Sequence, residues 1–467
     1  MYKIRSMRRN GFPSSSVASS IGVTCAAAIA LTPALPASAA TAKGPARPVP
    51  AVAPAAVPGS TQSLPLAPLA RDRALGAAPE QGVYRPEVRH FSLVGVVWDN
   101  PDVQLHGSVQ VRVRSAATGT WSGWQDVDTH SGDHGADPGT PERTSGHVRG
   151  ATAPLWVGDS DGVDVRVRAD VGDRGPGTTP DPPFSLPSGL TLELVDPGAE
   201  PPPAGPEAGR LPVGELSEEA TATSAANADL VPLGATEIPE LNREDTVREL
   251  LDLRGKELTE RQRAKPYIGP RPRVITRRGW GADESLRARG FVYTKKVKAA
   301  FVHHTATGNN YRCSQAPSVI RSIYRYHVKS MGWRDIGYNF LVDKCGNIYE
   351  GRAGGVAKPV LGAHTMGFNS NSVGIAVIGT YSKSKPSSAA VTAVARLTAW
   401  KLGLYGMNPR GKTYLKSGGG NLYQKGKNVR LNVISGHRDG FATDCPGRQL
   451  YGKLGTARSA AARYQGR

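Results

Sequence analysis

Two patterns of apolar and polar positions divide this chain. Between residues 83 and 197 the apolar runs are short and separated by Gly, Asp, Pro and Ser. In VQVRVR (Val109–Arg114) and VDVRVRAD (Val163–Asp170) a valine recurs at every second position, and Gln, Asp or Arg fills the places between. That is the period of a half-buried strand. FSLVGVVW (Phe91–Trp98), TWSGWQDV (Thr120–Val127), PLWVG (Pro154–Gly158) and LTLELVD (Leu190–Asp196) read as further strands. Several short strands with turn residues between them predict an all-β, sandwich-like domain.

The pattern changes from residue 271 to 457. Strand-like runs KAAFVHH (Lys298–His304), YNFLVD (Tyr338–Asp343) and VGIAVIG (Val373–Gly379) are interleaved with helical spacing. Ile320, Ile323, Tyr324 and His327 fall at i, i+3, i+4 and i+7 within Pro317–Val328, and Pro317 suits a first helical turn. Val391, Val394, Leu397 and Thr398 mark a second helix within Ser387–Leu404. This order predicts an α/β domain, a central mixed sheet flanked by helices.

Two stretches lack either pattern. Residues 40–82 are dominated by Ala, Pro and Val and read as a flexible linker. Residues 198–270 are rich in Pro, Ala and Glu and also read as a linker, disordered at least in their first part. Within them the charged segment at 243–263 holds a short helix carrying Val247, Leu250 and Leu251, capped by Asp245 or Thr246, and Gly255 argues against a longer one.

Composition adds a compartment. Lys3, Arg5, Arg8 and Arg9 precede an Ala-rich apolar stretch and then Ala37-Ser38-Ala39. This is the layout of a secretory signal peptide over residues 1–39, too short and too interrupted for a membrane span. The expected mature protein is therefore secreted and not inserted in a membrane. Of four cysteines, Cys25 leaves with the signal, so three remain. In an oxidising compartment an odd cysteine asks for an explanation, and a pair plus one metal-bound thiolate supplies it. The formal charge of +19 favours an anionic partner. No nucleic-acid module signature accompanies it, so anionic wall polymers remain as a possible partner and nucleic acid does not.

Candidate chemistry sits in the second domain. His303 and His304 end an apolar strand, where neighbours point to opposite faces, so only one can face a cleft. His437 and Cys445 flank a loop in GHRDGFATDCPG (Gly436–Gly447). Imidazole and thiolate are good zinc ligands, and three protein ligands leave a fourth position open, as catalytic zinc sites do. The stretches VITRRGWGA, FVHHTAT, YHVKSMGWRDIGYNFLVDKCGNIYEGR, GAHTMGFNSNSVGIAVIG and GHRDGFATDCPG together resemble the peptidoglycan recognition protein and type-2 amidase family, in the family's order. The resemblance implies Zn2+ held by His303, His437 and Cys445, an active-site Tyr338, and Thr443 two residues before the zinc cysteine. It also implies cleavage of the amide between N-acetylmuramic acid and L-alanine in peptidoglycan. Non-cutting recognition proteins of the family typically lack the zinc cysteine, which is present here; such a recognition protein is the rival reading. The sandwich resembles only a module seen beside actinobacterial amidases, with a wall-binding or spacer role.

The remaining assignments are expectations of the same kind. Arg352, His364 in GAHT, and Asn369 are placed along the substrate groove. Asn369 is equally well explained as a turn residue. His327 either lines the groove or packs. Glu350 is a candidate proton donor or the partner of Arg352 or another cation. His304 is structural or supports the ligands. Cys313 and Cys345, each beside an element end, are expected to form a disulfide. His130, Asp133, His134 and Asp137 in the loop 130–146 read as a solvated loop rather than a metal site. The protein is expected to be a cell-wall-associated monomer.

Overall fold

The alternating valines of the first domain meet across one sheet. In the register of the two strands that carry them, Val109, Val111 and Val113 lie opposite Val167, Val165 and Val163. All six point into one core with Val94, Val96, Leu192 and Leu194. The computed structural model describes residues 58–69, 78–129, 134–171, 184–199 and 216–467. The expected signal peptide, Cys25, His130 and Asp133 lie outside them. No helix among the described residues is long and apolar enough to cross a membrane.

The first domain contains, among the described residues, β1 (Ser60–Pro65), β2 (Ala67–Pro68), β3 (Glu80–Arg85), β4 (Phe91–Trp98), β5 (Gly107–Ser115), β6 (Gln125–Val127), β7 (Gly150–Ala151), β8 (Leu155–Ala169) and β9 (Thr191–Asp196). All pairings are antiparallel. The runs PLWVG and VDVRVRAD, expected as two strands, form the single strand β8. It pairs with β4 at its start and lies between β3 and β5 further on. Only the end of TWSGWQDV is a strand. Trp121 and Trp124 instead lie against the guanidinium groups of Arg112 and Arg166, covering the polar face of β5 and β8. β1 and β2 fall in the stretch read as a linker: β1 pairs along the whole of β9, from Ser60 opposite Asp196 to Pro65 opposite Thr191.

The second domain is a mixed sheet of β10 (Glu237–Ile238), β11 (Val274–Ile275), β12 (Ala299–His304), β13 (Phe340–Val342), β14 (Ile348–Glu350), β15 (Ser372–Val377) and β18 (Ile434–Gly436). Its order is β10-β11-β14-β13-β15-β12-β18, and β12 is parallel to both neighbours. β16 (Lys412–Lys416) and β17 (Asn428–Asn432) make a separate hairpin. The helices are α1 (Glu218–Ala225), α2 (Arg243–Arg254), α3 (Glu260–Ala264), α4 (Ala316–Arg325), α5 (Ser388–Gly403), α6 (Arg448–Tyr451) and α7 (Leu454–Tyr464). One sheet face packs on α5 and α7 through Val394, Leu397, Trp400, Leu454 and Ala461. The other packs on α4, which continues as a π-helical turn over Tyr326–Ser330. A disulfide joins Cys313, just before α4, to Cys345, between β13 and β14.

Residues 216–270 differ from the linker expectation. α2 is capped by Asn242, whose side chain accepts from Asp245 N, not by Asp245 or Thr246. Thr246 is buried, its hydroxyl accepting from Arg271 N at 2.9 Å, and Leu250 enters the main core. A helix with one narrow apolar stripe in a charged sequence carries too little periodic signal to separate it from a connector.

The two domains share a core. β4 is buried on both faces. Val94 and Val96 point into the sandwich, while Leu93 and Val97 pack with Ile320, Ile323, Tyr324 and Tyr326 of the amidase-like half. That is why FSLVGVVW reads as a continuous apolar run beside strictly alternating neighbours.

Candidate metal centre and groove

The sheet brings the strand end at His303 together with the loop that carries His437 and Cys445. β12 alternates, so His303 continues the face of Ala299 and Phe301, while His304 follows Ala300 and Val302. His304 accepts from Tyr381 N through Nδ1 at 3.3 Å. β18 lies beside β12 with Gly436 opposite Val302. His437, the next residue, therefore emerges beside His303, with ring centroids 4.5 Å apart. The loop after it folds back: Arg438 N donates to Cys445 O at 3.1 Å, and Thr443 Oγ1 accepts from Cys445 N at 3.1 Å. This sets Cys445 Sγ 3.7 Å from His303 Nδ1. Cys445 is a buried cysteine outside the disulfide.

A fourth residue joins the group. The ligand atoms of His134, His303, His437 and Cys445 all lie within 4.8 Å of one another. Donors around a tetrahedral zinc at ordinary bond lengths sit about 3.3–3.6 Å apart, close to the His303–Cys445 separation. Imidazoles and a thiol without a carboxylate suit a borderline-soft ion. His303 is fully buried, and burial, then His437, His364 and His134, hold its pKa well below the usual value. Its ring is neutral at physiological pH, the form that ligates metal. The other nitrogen, Nε2, lies 3.3 Å from His364 Nδ1 and 3.4 Å from Thr365 Oγ1, which fix the ring.

Tyr338 flanks the cluster, its ring 5.6 Å from His303 and 5.8 Å from His327. His327 packs against Trp333, accepts from Gly337 N through Nδ1 at 3.2 Å, and also lines the small cavity beside Tyr338 and Cys445. His364 is fully buried beside His303, its Nδ1 3.3 Å from the His303 ring, and does not line open space. Asn369 Oδ1 accepts from His364 N and Thr365 N at 2.7 and 3.0 Å, holding the GAHT turn. Glu350 is neither beside the cluster nor paired with Arg352. It accepts from Asn227 Nδ2 and Arg277 N, and burial raises its pKa to about 7. It sits on the far side of β14 because alternation turns it from the groove.

Arg352 is held instead by Glu142 of the sandwich domain, through both terminal nitrogens at 2.9 Å. The loop read as solvated is thus docked in the groove. Glu142 and Asp137 are buried, and His134 stacks edge-on to His437 at 4.6 Å. Burial alone would raise the pKa of Glu142, but the charge and hydrogen bonds of Arg352 outweigh it and lower the value. The one available signal was several His and Asp residues on a Gly-bounded loop, which solvated loops also show.

Comparison with known proteins follows this division. Residues 45–188 match the family described as Rv3811 N-terminal galactose-binding domain-like, and residues 293–448 match N-acetylmuramoyl-L-alanine amidase. Peptidoglycan-recognition protein SC2 of Drosophila melanogaster is 30% identical over 185 residues, 39% of this chain and 85% of the relative. The chain belongs to the peptidoglycan-recognition protein family. The human N-acetylmuramoyl-L-alanine amidase is 32% identical over 209 residues, 43% of this chain but 30% of that protein. The solved structure of Drosophila PGRP-LB is 24% identical and covers 39% of this chain and 92% of that chain, with a TM-score of 0.31. Membership assigns the second domain to peptidoglycan amidase or recognition chemistry, joined here to a galactose-binding-like domain.

Proposed function

We propose that this chain is a secreted, zinc-dependent N-acetylmuramoyl-L-alanine amidase, acting on the bond between N-acetylmuramic acid and L-alanine in peptidoglycan. The observation that carries this reading is the buried group of His303, His437 and Cys445. A recognition protein that only binds has no use for a thiol held 3.7 Å from an imidazole in a neutral, desolvated site. When bound, zinc supplies Lewis acidity toward an amide carbonyl. The remaining work falls to the chain. His364 and Thr365 orient His303, and Thr443 holds the backbone of Cys445. The Tyr338 ring borders the cluster, 5.6 Å from that of His303, and its hydroxyl is of the kind that donates to the oxyanion developing on the attacked carbonyl. Thr443 keeps its own hydroxyl hydrogen for the same use.

The sandwich acts as more than a spacer in this reading, because it shares a core with the amidase domain. Export fits the basic-apolar-small N-terminal sequence and the disulfide. The test is a prolonged digest of purified peptidoglycan by the full chain with zinc, the products identified by mass spectrometry. Free stem peptides beginning with L-alanine are expected from the wild type and not from Cys445→Ala. Equal release by both would overturn the metal assignment, and binding without release by either would leave a recognition protein.

A further inference from the structure

The sandwich loop from His134 to Val148 meets the second domain with three side chains, His134, Asp137 and Glu142. The His134 ring lies 4.6 Å from His437, 5.4 Å from His303 and edge-on to Tyr338 at 5.7 Å. Three residues on, Asp137 Oδ1 accepts from Gly367 N at 2.8 Å and from Asn369 Nδ2 at 2.6 Å. Five residues further, Glu142 grips Arg352 bidentately and accepts from Arg334 N at 3.2 Å. The end of the loop is clamped as well. Arg149 N donates to Met331 O at 3.1 Å, and a Cβ on Gly332 would lie 2.0 Å from His147 O. Beside Tyr338, among the described residues, the remaining cavity is about 20 Å³, room for one water and not for a peptide.

We propose that this loop is a built-in occupant of the amidase site, with His134 as a fourth protein ligand to the metal and Asp137 and Glu142 standing where carboxylates of an anionic peptide dock. The proposal rests on the zinc-amidase reading. Catalytic zinc sites keep one position open, whereas sites with four protein ligands are closed. With His134 in place the site is of the closed kind, and the chain as folded is a latent enzyme. A tethered ligand competes at high effective concentration, so latency does not require a tight intrinsic contact. The loop is polar (His134-Gly-Ala-Asp-Pro-Gly-Thr-Pro-Glu142), so it tolerates release into water, which an apolar plug would not. A strand bearing carboxylates competes for the same three partners, Arg352, Asn369 and Gly367 N. Peptidoglycan carrying acidic stem peptides is therefore the class of molecule that opens the site.

The test uses the full chain loaded with Co2+ in place of zinc and titrated with azide. The visible spectrum of the wild type is expected to stay unmoved, while that of His134→Ala shifts on azide addition. The same variant should bind zinc at least tenfold more weakly and digest peptidoglycan at least tenfold faster. Wild type and His134→Ala responding alike to azide would overturn the fourth-ligand assignment. An Asp137→Asn/Glu142→Gln double variant leaves every metal donor in place. In metal-free form it should sediment severalfold more with insoluble peptidoglycan than the wild type, and unchanged sedimentation would overturn the occupied groove. Cobalt uptake by a His303→Ala/His437→Ala double variant separates the two readings. If that variant still takes up one cobalt per chain, the zinc reading itself fails; if it takes up none while azide moves the wild type, only the loop proposal fails.

Discussion

Two loops converge on His303, and they were reached by different routes. The loop Gly436–Gly447 belongs to the same sheet as His303. β18 runs beside β12, so the parallel register alone places His437 next to His303 and the return of the chain places Cys445. The loop from His134 to Val148 comes from another domain, and its position is set by the packing of β4 and β9 on α4 and by the contacts of Asp137 and Glu142 across that interface. Local pairing rules determine the first loop; the second depends on a domain interface that leaves no spacing rule in the sequence. A ligand set assembled across such an interface can be taken apart by moving one domain, which a set within one sheet cannot.

The largest effect that separates the loops is expected at Cys445. Its replacement by Ala removes a ligand that nothing else in its loop replaces. Loss of Lewis acid stabilisation is worth several kcal/mol, about a thousandfold or more in the rate of peptidoglycan hydrolysis. Zinc content should fall in parallel. The matching change in the other loop, His134→Ala, should move the rate upward. Loss of rate in both variants would place the two loops in one role and erase the distinction.

The next effect concerns two buried glutamates that the groove arginine divides. Glu142 is paired with Arg352 and lowered, whereas Glu350 faces Asn227 and Arg277 N, with the like-charged Glu284 nearby, and is raised to about 7. For Glu350 the folded state holds its proton more tightly than the unfolded chain, whose value is 4.5. Stability from this group is therefore greatest below pH 4.5 and is lost as pH rises to about 7, after which it is level. The interval corresponds to about 3 kcal/mol. Urea unfolding of wild type against Glu350→Gln should show the difference between the two changing by that amount between pH 4.5 and 7.5. A pH-independent difference would show that the Glu350 carboxyl titrates alike in both states.

Much of the site was legible because β structure is local. The alternation in AAFVHH puts one histidine on each face, and Cys445 Sγ lies 3.7 Å from Nδ1 of the first of them, His303. The cysteine count left one thiol over, and Cys313 and Cys345 are joined. The sandwich followed from the valine period in β5 and β8. The missing parts depended on distant contacts. Glu142 is 210 residues from Arg352, and Asp137 is 232 from Asn369, and no periodicity links them. FSLVGVVW did carry a hint, since an unbroken apolar strand needs cover on both faces, but nothing in the run says what covers the second one.

Tyr338 tests whether the groove acts as a site beyond its metal. Tyr338→Phe keeps the ring packing against His303 and His327 and removes one hydroxyl donor. A lost oxyanion donor costs about a hundredfold in kcat. Zinc content should stay at the wild-type level, in contrast to Cys445→Ala. A wild-type rate would remove Tyr338 from the chemistry and leave it a packing residue.

The smallest effect tests the interface that carries the second loop. A Cβ on Gly95 would lie 2.3 Å from Tyr326 Oη and 2.5 Å from Cζ. Tyr326 cannot step aside, because it is fully buried and its hydroxyl donates to Thr152 O of the sandwich at 3.1 Å. Gly95→Ala therefore forces β4 from the π-helical turn after α4, and overpacking of this kind costs about 2 kcal/mol. If the shared core joins the domains as one cooperative unit, zinc release and loss of β ellipticity in urea should coincide and move together to a lower midpoint. A variant in which zinc release stays at the wild-type midpoint while the ellipticity change moves would show that the amidase domain holds its metal without the sandwich. The contrast between a loop fixed by its own sheet and a loop fixed by a neighbour domain would then survive for the metal ligands of the second domain, while the neighbour would lose its hold on stability.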